Sequence, residues 1–144
     1  YEWVISADIK SYFDSVDHNL LIKLLKRKIN DNRITDYIYM WIKSGYLYGG
    51  WYFPTNMGVN QGNPISPLLA NLYLHYFDYK MVMSGLDVKV IRFADDFVIL
   101  CKSKNISKQA ESFMNKTITE DLKLNFNPAK SNITCFKDGF VFLG

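Results

Sequence analysis

The chain has 144 residues, 49% of them hydrophobic and 22% charged, enough to build one cored domain and too apolar for a disordered chain. Its net charge of +3 permits a nucleic-acid partner without arguing for one, since solvated surface lysines explain it equally well. No apolar run approaches the ~18 residues of a membrane span, no signal-peptide pattern opens the chain, and Cys101 and Cys135 lack the spacing of a zinc or CxxC site.

Trp3 to Asp8 reads as a short apolar strand ending in an acid. Asp17 offers an N-cap to a helix with Leu20, Leu21, Leu24, Leu25 and Ile29 on one face. Ile34, Tyr37, Ile38, Trp41 and Ile42 give a second helix, which Gly45 stops. Tyr46–Tyr48 and Trp51–Phe53 flank Gly49-Gly50, the turn of a hairpin. A polar loop from Met57 leads to a third helix, with Ser66 as its expected N-cap, Pro67 at its first position and Leu68 and Leu72 turned inward. Val88–Phe93 and Phe97–Cys101 are strands separated by Ala94, Asp95 and Asp96. A helix over about 107–120 precedes expected strands at Leu122–Phe126 and Ser131–Phe136, then an Asp138-Gly139 turn and a last strand from Phe140. Both ends read as cut from a longer protein.

With the two helices and the hairpin set aside as an insertion, the order is β-α-β-β-α-β, the split βαβ, ferredoxin-like α+β arrangement. Its right-handed crossover makes the first two core strands parallel, with the third antiparallel between them. Asp8 and the Asp95-Asp96 turn then share one edge of the sheet. Adjacent aspartates are ordinary in a turn. A third acid on the same edge favours a metal site, because clustered carboxylates repel unless a cation neutralises them. Hard carboxylate oxygens suit Mg²⁺ or Mn²⁺, and two such ions ~3.5–4 Å apart can serve an in-line phosphoryl displacement. The loop from Gly58 to Pro67 opens a helix N-terminus that could take a triphosphate, although a plain capped helix explains the loop by itself.

The segments DIKSYFDSV from Asp8, GVNQGNPISPLLANLYLHYFD from Gly58 and RFADDFVIL from Arg92 resemble consecutive core motifs of reverse transcriptases. The bacterial, group II intron-like branch is the most similar. The likeness continues through LNFNPAKS to the FLG at Gly144 and so covers essentially the whole chain. It implies a polymerase palm over 1–16 and 64–144, a fingers-side insertion over about 17–63, and no thumb or N-terminal fingers. It implies RNA-templated DNA synthesis with two Mg²⁺ ions (Mn²⁺ as substitute), an RNA template, a DNA primer, deoxynucleoside triphosphates and, for an intron-encoded member, intron RNA. Cytoplasmic action on bacterial DNA, no membrane, and weak or no activity of the 144 residues alone follow from the same likeness.

Carried over by position, the resemblance makes Asp8, Asp95 and Asp96 the catalytic metal ligands, with the Ile9 carbonyl as an extra ligand. The backbone at Ser11 and Tyr12 borders the 3′-hydroxyl pocket, and Phe13 is the steric gate against a 2′-hydroxyl. Gln61 contacts nucleotide and template. Lys130 is a candidate proton donor to pyrophosphate, or else a solvated strand-edge lysine. The family's Pro-Gln-Gly-Gly stands here as Asn60-Gln61-Gly62-Asn63 and its Tyr-Ala-Asp-Asp as Phe93-Ala94-Asp95-Asp96, so no acid is lost. His75 reads as a surface or packing residue. The competing readings are a CRISPR-associated or defence reverse transcriptase, a nucleotide cyclase on the same core, and a non-catalytic palm that scaffolds RNA.

Overall fold

The computed structural model describes residues 1–127 and 131–143, which divide into two compact units. One joins Tyr1–Lys10 to the chain after Leu74, and the other is Ser11–Tyr73. The division falls within the first motif and inside a long helix, α4 (Ser66–Met83).

The first unit is a four-stranded antiparallel sheet of β1 (Trp3–Asp8), β4 (Val88–Phe93), β5 (Asp96–Cys101) and β6 (Asn132–Cys135), in the order β4-β5-β1-β6. Since β5 is antiparallel to both neighbours, β1 and β4 run parallel on either side of it, as the split βαβ order requires. One sheet face is apolar because the strands alternate: Ile5 and Ala7 of β1 and Phe97, Ile99 and Cys101 of β5 are 0–2% exposed. Leu74, Phe77 and Met81 of α4 follow at helical spacing and are equally buried. The Phe77 and Phe97 rings meet at 4.9 Å between centroids. Burying one such ring completely stabilises the fold by about 2–3 kcal/mol. Burial also pushes the Cys101 thiol up to about 11, so it stays protonated and packs as an apolar side chain.

Helix α5 (Lys104–Lys116) starts earlier than its periodicity suggests, because the Ser103 hydroxyl caps it by accepting from the Ile106 N–H at 3.3 Å. It buries Ala110 and Met114 and ends in a π-helical turn, Thr117–Asp121, closed by Leu122 N–H to the Thr117 carbonyl. The expected strand at Leu122–Phe126 is absent. Lys123 has φ 55°, which interrupts the extended run; Leu122 and Leu124 are buried, and Phe126 makes a single bridge, to Ile9. Downstream, β6 stops at Cys135 and a 3₁₀ turn covers Phe136–Asp138. Among the described residues, Phe140 to Leu143 form no strand.

In the second unit, α1 (Tyr12–Ser15) precedes α2 (His18–Lys26) and α3 (Asn32–Ile42). Asp17 caps α2 through the Leu20 N–H at 2.8 Å, as expected, and Asp31 caps α3 through the Arg33 N–H at 2.9 Å. Leu21, Leu24, Leu25, Ile38 and Ile42 close the core between these two helices. The hairpin of β2 (Tyr46–Tyr48) and β3 (Trp51–Phe53) turns on Gly49-Gly50, both with positive φ, and exposes all six strand residues.

Helix α4 departs from expectation at its start. Ser66 is the first helical residue rather than the residue before it, and its hydroxyl donates to the Asn60 carbonyl at 2.6 Å. Leu68 is 65% exposed, because Leu69, Ala70 and Tyr73 set the buried phase of that half. Ile91 is 39% exposed on the outer face of β4. Among the described residues no helix is long and apolar enough to cross a membrane.

Candidate active site

The acidic edge is built by strand register. Asp8, the last residue of β1, stands opposite Asp96, the first of β5, and Phe93 of β4 pairs with Asp96 across a two-residue turn of Ala94 and Asp95. Asp8 turns its backbone carbonyl toward the β6 side, accepting from the Asn127 N–H at 2.8 Å, and the Lys10 N–H donates to Asn125 on that same side. Alternation then makes Asp8–Asp96 a non-hydrogen-bonded pair, the kind whose side chains lie closer, and turns the Ile9 carbonyl toward β5. All three aspartates are half-buried. Asp8 and Asp96 line a cleft of about 470 Å³ with Ser6, Asn132, Thr134 and Phe140.

The positions converge, but the carboxylates do not close on one point. Asp8 accepts from the Asn127 side-chain amide at 3.3 Å and Asp96 from the Leu143 N–H at 2.8 Å. Among the described residues no three acidic, histidine or cysteine side chains are gathered closely enough to hold a metal ion. The donor set still suits Mg²⁺. It is all oxygen, it is open to water, and Mg²⁺ is usually bound through one or two carboxylates plus substrate phosphates rather than in an all-protein cage.

The expected nucleotide-contacting residues lie in the second unit, save Lys130, which is outside the described residues. Ser11 is exposed with φ 47°, while Tyr12 is 2% exposed and bonds its hydroxyl to the Ala70 carbonyl. Phe13 is half-buried, edge-on to Tyr12 at 5.7 Å, and its carbonyl accepts from the Val59 N–H at 2.7 Å. That bond ties the Phe13 segment to the loop bearing Gln61, which is exposed and lines a second cleft of about 630 Å³ with Asp14, Tyr46 and Asn60. His75 is exposed on α4.

Gly58 is the hinge of that loop. Its N–H donates to the Val16 carbonyl at 2.8 Å, and its own carbonyl accepts from Nε2 of the buried His18 at 2.6 Å, which fixes the proton on that nitrogen. Its φ of +88° favours glycine, and an added Cβ would meet Asp14 and Phe13 backbone atoms at 3.0 Å. Gly58→Ala should therefore destabilise the fold by about 2–4 kcal/mol through strain and overpacking. Chemical denaturation would measure this, and a loss under about 0.5 kcal/mol would mean the loop can shift freely.

Sequence reasoning missed three residues. Asn127 holds Asp8 through both backbone and side chain. Arg92 and Asp78 form a paired ion bridge beside the acidic turn, with Arg92 Nη2 and Asp78 Oδ2 at 2.6 Å. A signal for Arg92 existed: it shares the helix-facing side of β4 with Val88 and Val90, where an unpaired charge is costly.

The family model of reverse transcriptase (RNA-dependent DNA polymerase) matches residues 1–144. Protein YkfC of Escherichia coli is 33% identical over 174 residues, an alignment covering 99% of this chain and 46% of YkfC. The group II intron-encoded protein LtrA of Lactococcus lactis is 46% identical over 76 residues, 53% of this chain and 13% of LtrA. An apo telomerase structure from Candida tropicalis, truncated from the C-terminal domain, has the same fold, with TM-score 0.81 and 17% identity, over 99% of this chain and 33% of that one. The chain spans less than half the length of each of these proteins.

Proposed function

The chain belongs to the reverse transcriptase (RNA-dependent DNA polymerase) family, and from that premise we propose that it carries the catalytic core of an enzyme that copies RNA into DNA. The observation that carries this reading is the register that sets Asp8 opposite Asp96, with Asp95 in the adjoining turn. Asp8, Asp95, Asp96 and the Ile9 carbonyl would hold two Mg²⁺ ions, or Mn²⁺ in their place, supplying positive charge to the attacking and departing oxygens of phosphoryl transfer.

The chain's own residues do the rest. Gln61 contacts the incoming nucleotide and the template, on a loop whose backbone is pinned to that of Phe13. The Phe13 ring occupies the space a 2′-hydroxyl would need. The backbone at Ser11 and Tyr12 borders the sugar's 3′ side. Lys130, assigned by family resemblance, protonates the departing pyrophosphate. The substrates are an RNA template, a DNA primer and deoxynucleoside triphosphates. The likeness to LtrA favours a group II intron setting in bacteria, with intron RNA as a further partner.

Primer extension by the full-length protein tests this. A DNA primer on an RNA template should be extended with deoxynucleotides, and the reaction should stop when a chelator removes Mg²⁺. RNA binding without extension under any divalent ion would favour an RNA scaffold instead.

A further inference from the structure

The two-residue turn that carries Asp95 is held from the opposite face of the sheet. Ala94 has φ 54° and the next residue does not share a positive φ, the pattern of a type II′ turn, whose first central position normally belongs to glycine. An alanine there is strained, and something must hold it. Arg92 donates from Nη1 to the Ala94 carbonyl at 2.8 Å. The rest of its guanidinium is taken by Asp78 of α4, with Nε to Oδ1 at 2.9 Å and Nη2 to Oδ2 at 2.6 Å. The Arg92 side chain is only 12% exposed, so water competes little for these bonds.

We propose that Arg92, anchored by Asp78, is a positioning residue for the reaction inferred above: it fixes the Ala94-Asp95 turn and thereby the direction of the Asp95 and Asp96 carboxylates. The planar fork is what suits it to this task. One edge grips the carboxylate on α4 while the remaining nitrogen reaches the turn carbonyl. A lysine at position 92 could keep charge opposite Asp78, but a single ammonium cannot present that paired edge and also hold the turn in a fixed plane.

The inference rests on the reverse transcriptase reading, so its test begins with a readout that needs neither metal nor turnover. In the metal-free full-length protein, Arg92→Lys should speed amide exchange of the segment 93–97 by about tenfold or more, while β1 keeps its parental protection. Mn²⁺ binding followed by electron paramagnetic resonance, without nucleotide, should weaken by about 10- to 100-fold, the usual effect of losing a group that orients a metal ligand. Catalysis should show a lower kcat with little change in the KM for nucleotide. Asp78→Asn, which leaves Arg92 in place without its anchor, should move all three in the same direction by less. Exchange and Mn²⁺ affinity within about twofold of the parent in folded Arg92→Lys would overturn the proposal. If Arg92→Lys does not fold, unchanged values in Asp78→Asn overturn it equally. A parent that extends no primer while Arg92→Lys still loosens the turn would defeat the reading of function and leave the positioning role standing.

Discussion

Asp95→Asn and Asp8→Asn should each lower nucleotide incorporation by the full-length enzyme about a thousandfold or more, with folding intact. The size of the effect follows from what is removed: one negative ligand from a site whose work is to concentrate positive charge on a phosphoryl group. Survival of the fold follows from the geometry. Asp8 is half-buried, and its strand bonds are made by backbone atoms that an asparagine keeps, including the carbonyl that accepts from Asn127. The replacement amide still offers an oxygen to the Asn127 side chain, which now donates to Asp8 Oδ2. Removing one negative charge from the acidic edge also lowers repulsion along it in the metal-free protein. Single-turnover extension and a thermal melt together decide the matter. Near-parental extension by Asp95→Asn would sink the assignment, and a collapsed melt would make both aspartates structural.

The acidic edge was legible in the sequence because two short-range signals agreed there. VKVIRF alternates like a strand, FVILC is a short β-branched apolar run, and only Ala94 to Asp96 separate them, so a hairpin was the compact option. Element order and crossover handedness then placed Asp8 beside that turn. What stayed hidden depends on partners distant in sequence. LKLNF alternates like a strand, yet the π-helical turn runs up to Leu122 and the left-handed backbone at Lys123 interrupts the extended run. SPLLANLYLHYF is apolar on every side, so its periodicity could not choose Leu69 over Leu68 as the inward position. The directions of the carboxylates were equally out of reach, since Asn127 and Leu143 hold Asp8 and Asp96 from far along the chain. A spacing rule locates a Cα and leaves the rotamer to the neighbours.

Phe13→Val should raise incorporation of ribonucleotides relative to deoxyribonucleotides by about 10- to 200-fold, the range in which a change of pocket shape discriminates substrates. The backbone at this position is fixed independently of the ring. The Phe13 carbonyl is bound by the Val59 N–H, and the chain on one side is held by Tyr12, whose hydroxyl reaches Ala70. Gly58 packs against the Phe13 carbonyl on the other, its N–H bound to Val16. Valine removes the aromatic ring and leaves those bonds in place, so the substitution opens space without moving the segment. The ring itself is only half-buried, so part of it remains open to a ligand. If Phe13 served packing alone, its edge contact with Tyr12 at 5.7 Å would be lost with a cost of up to about 3 kcal/mol, and the sugar ratio would not change. Thermal midpoint and the two incorporation efficiencies, measured on the same preparation, separate the cases. A lowered midpoint with an unchanged ratio rejects the gate. A raised ratio with a midpoint near the parent's assigns the ring to the nucleotide rather than to the core.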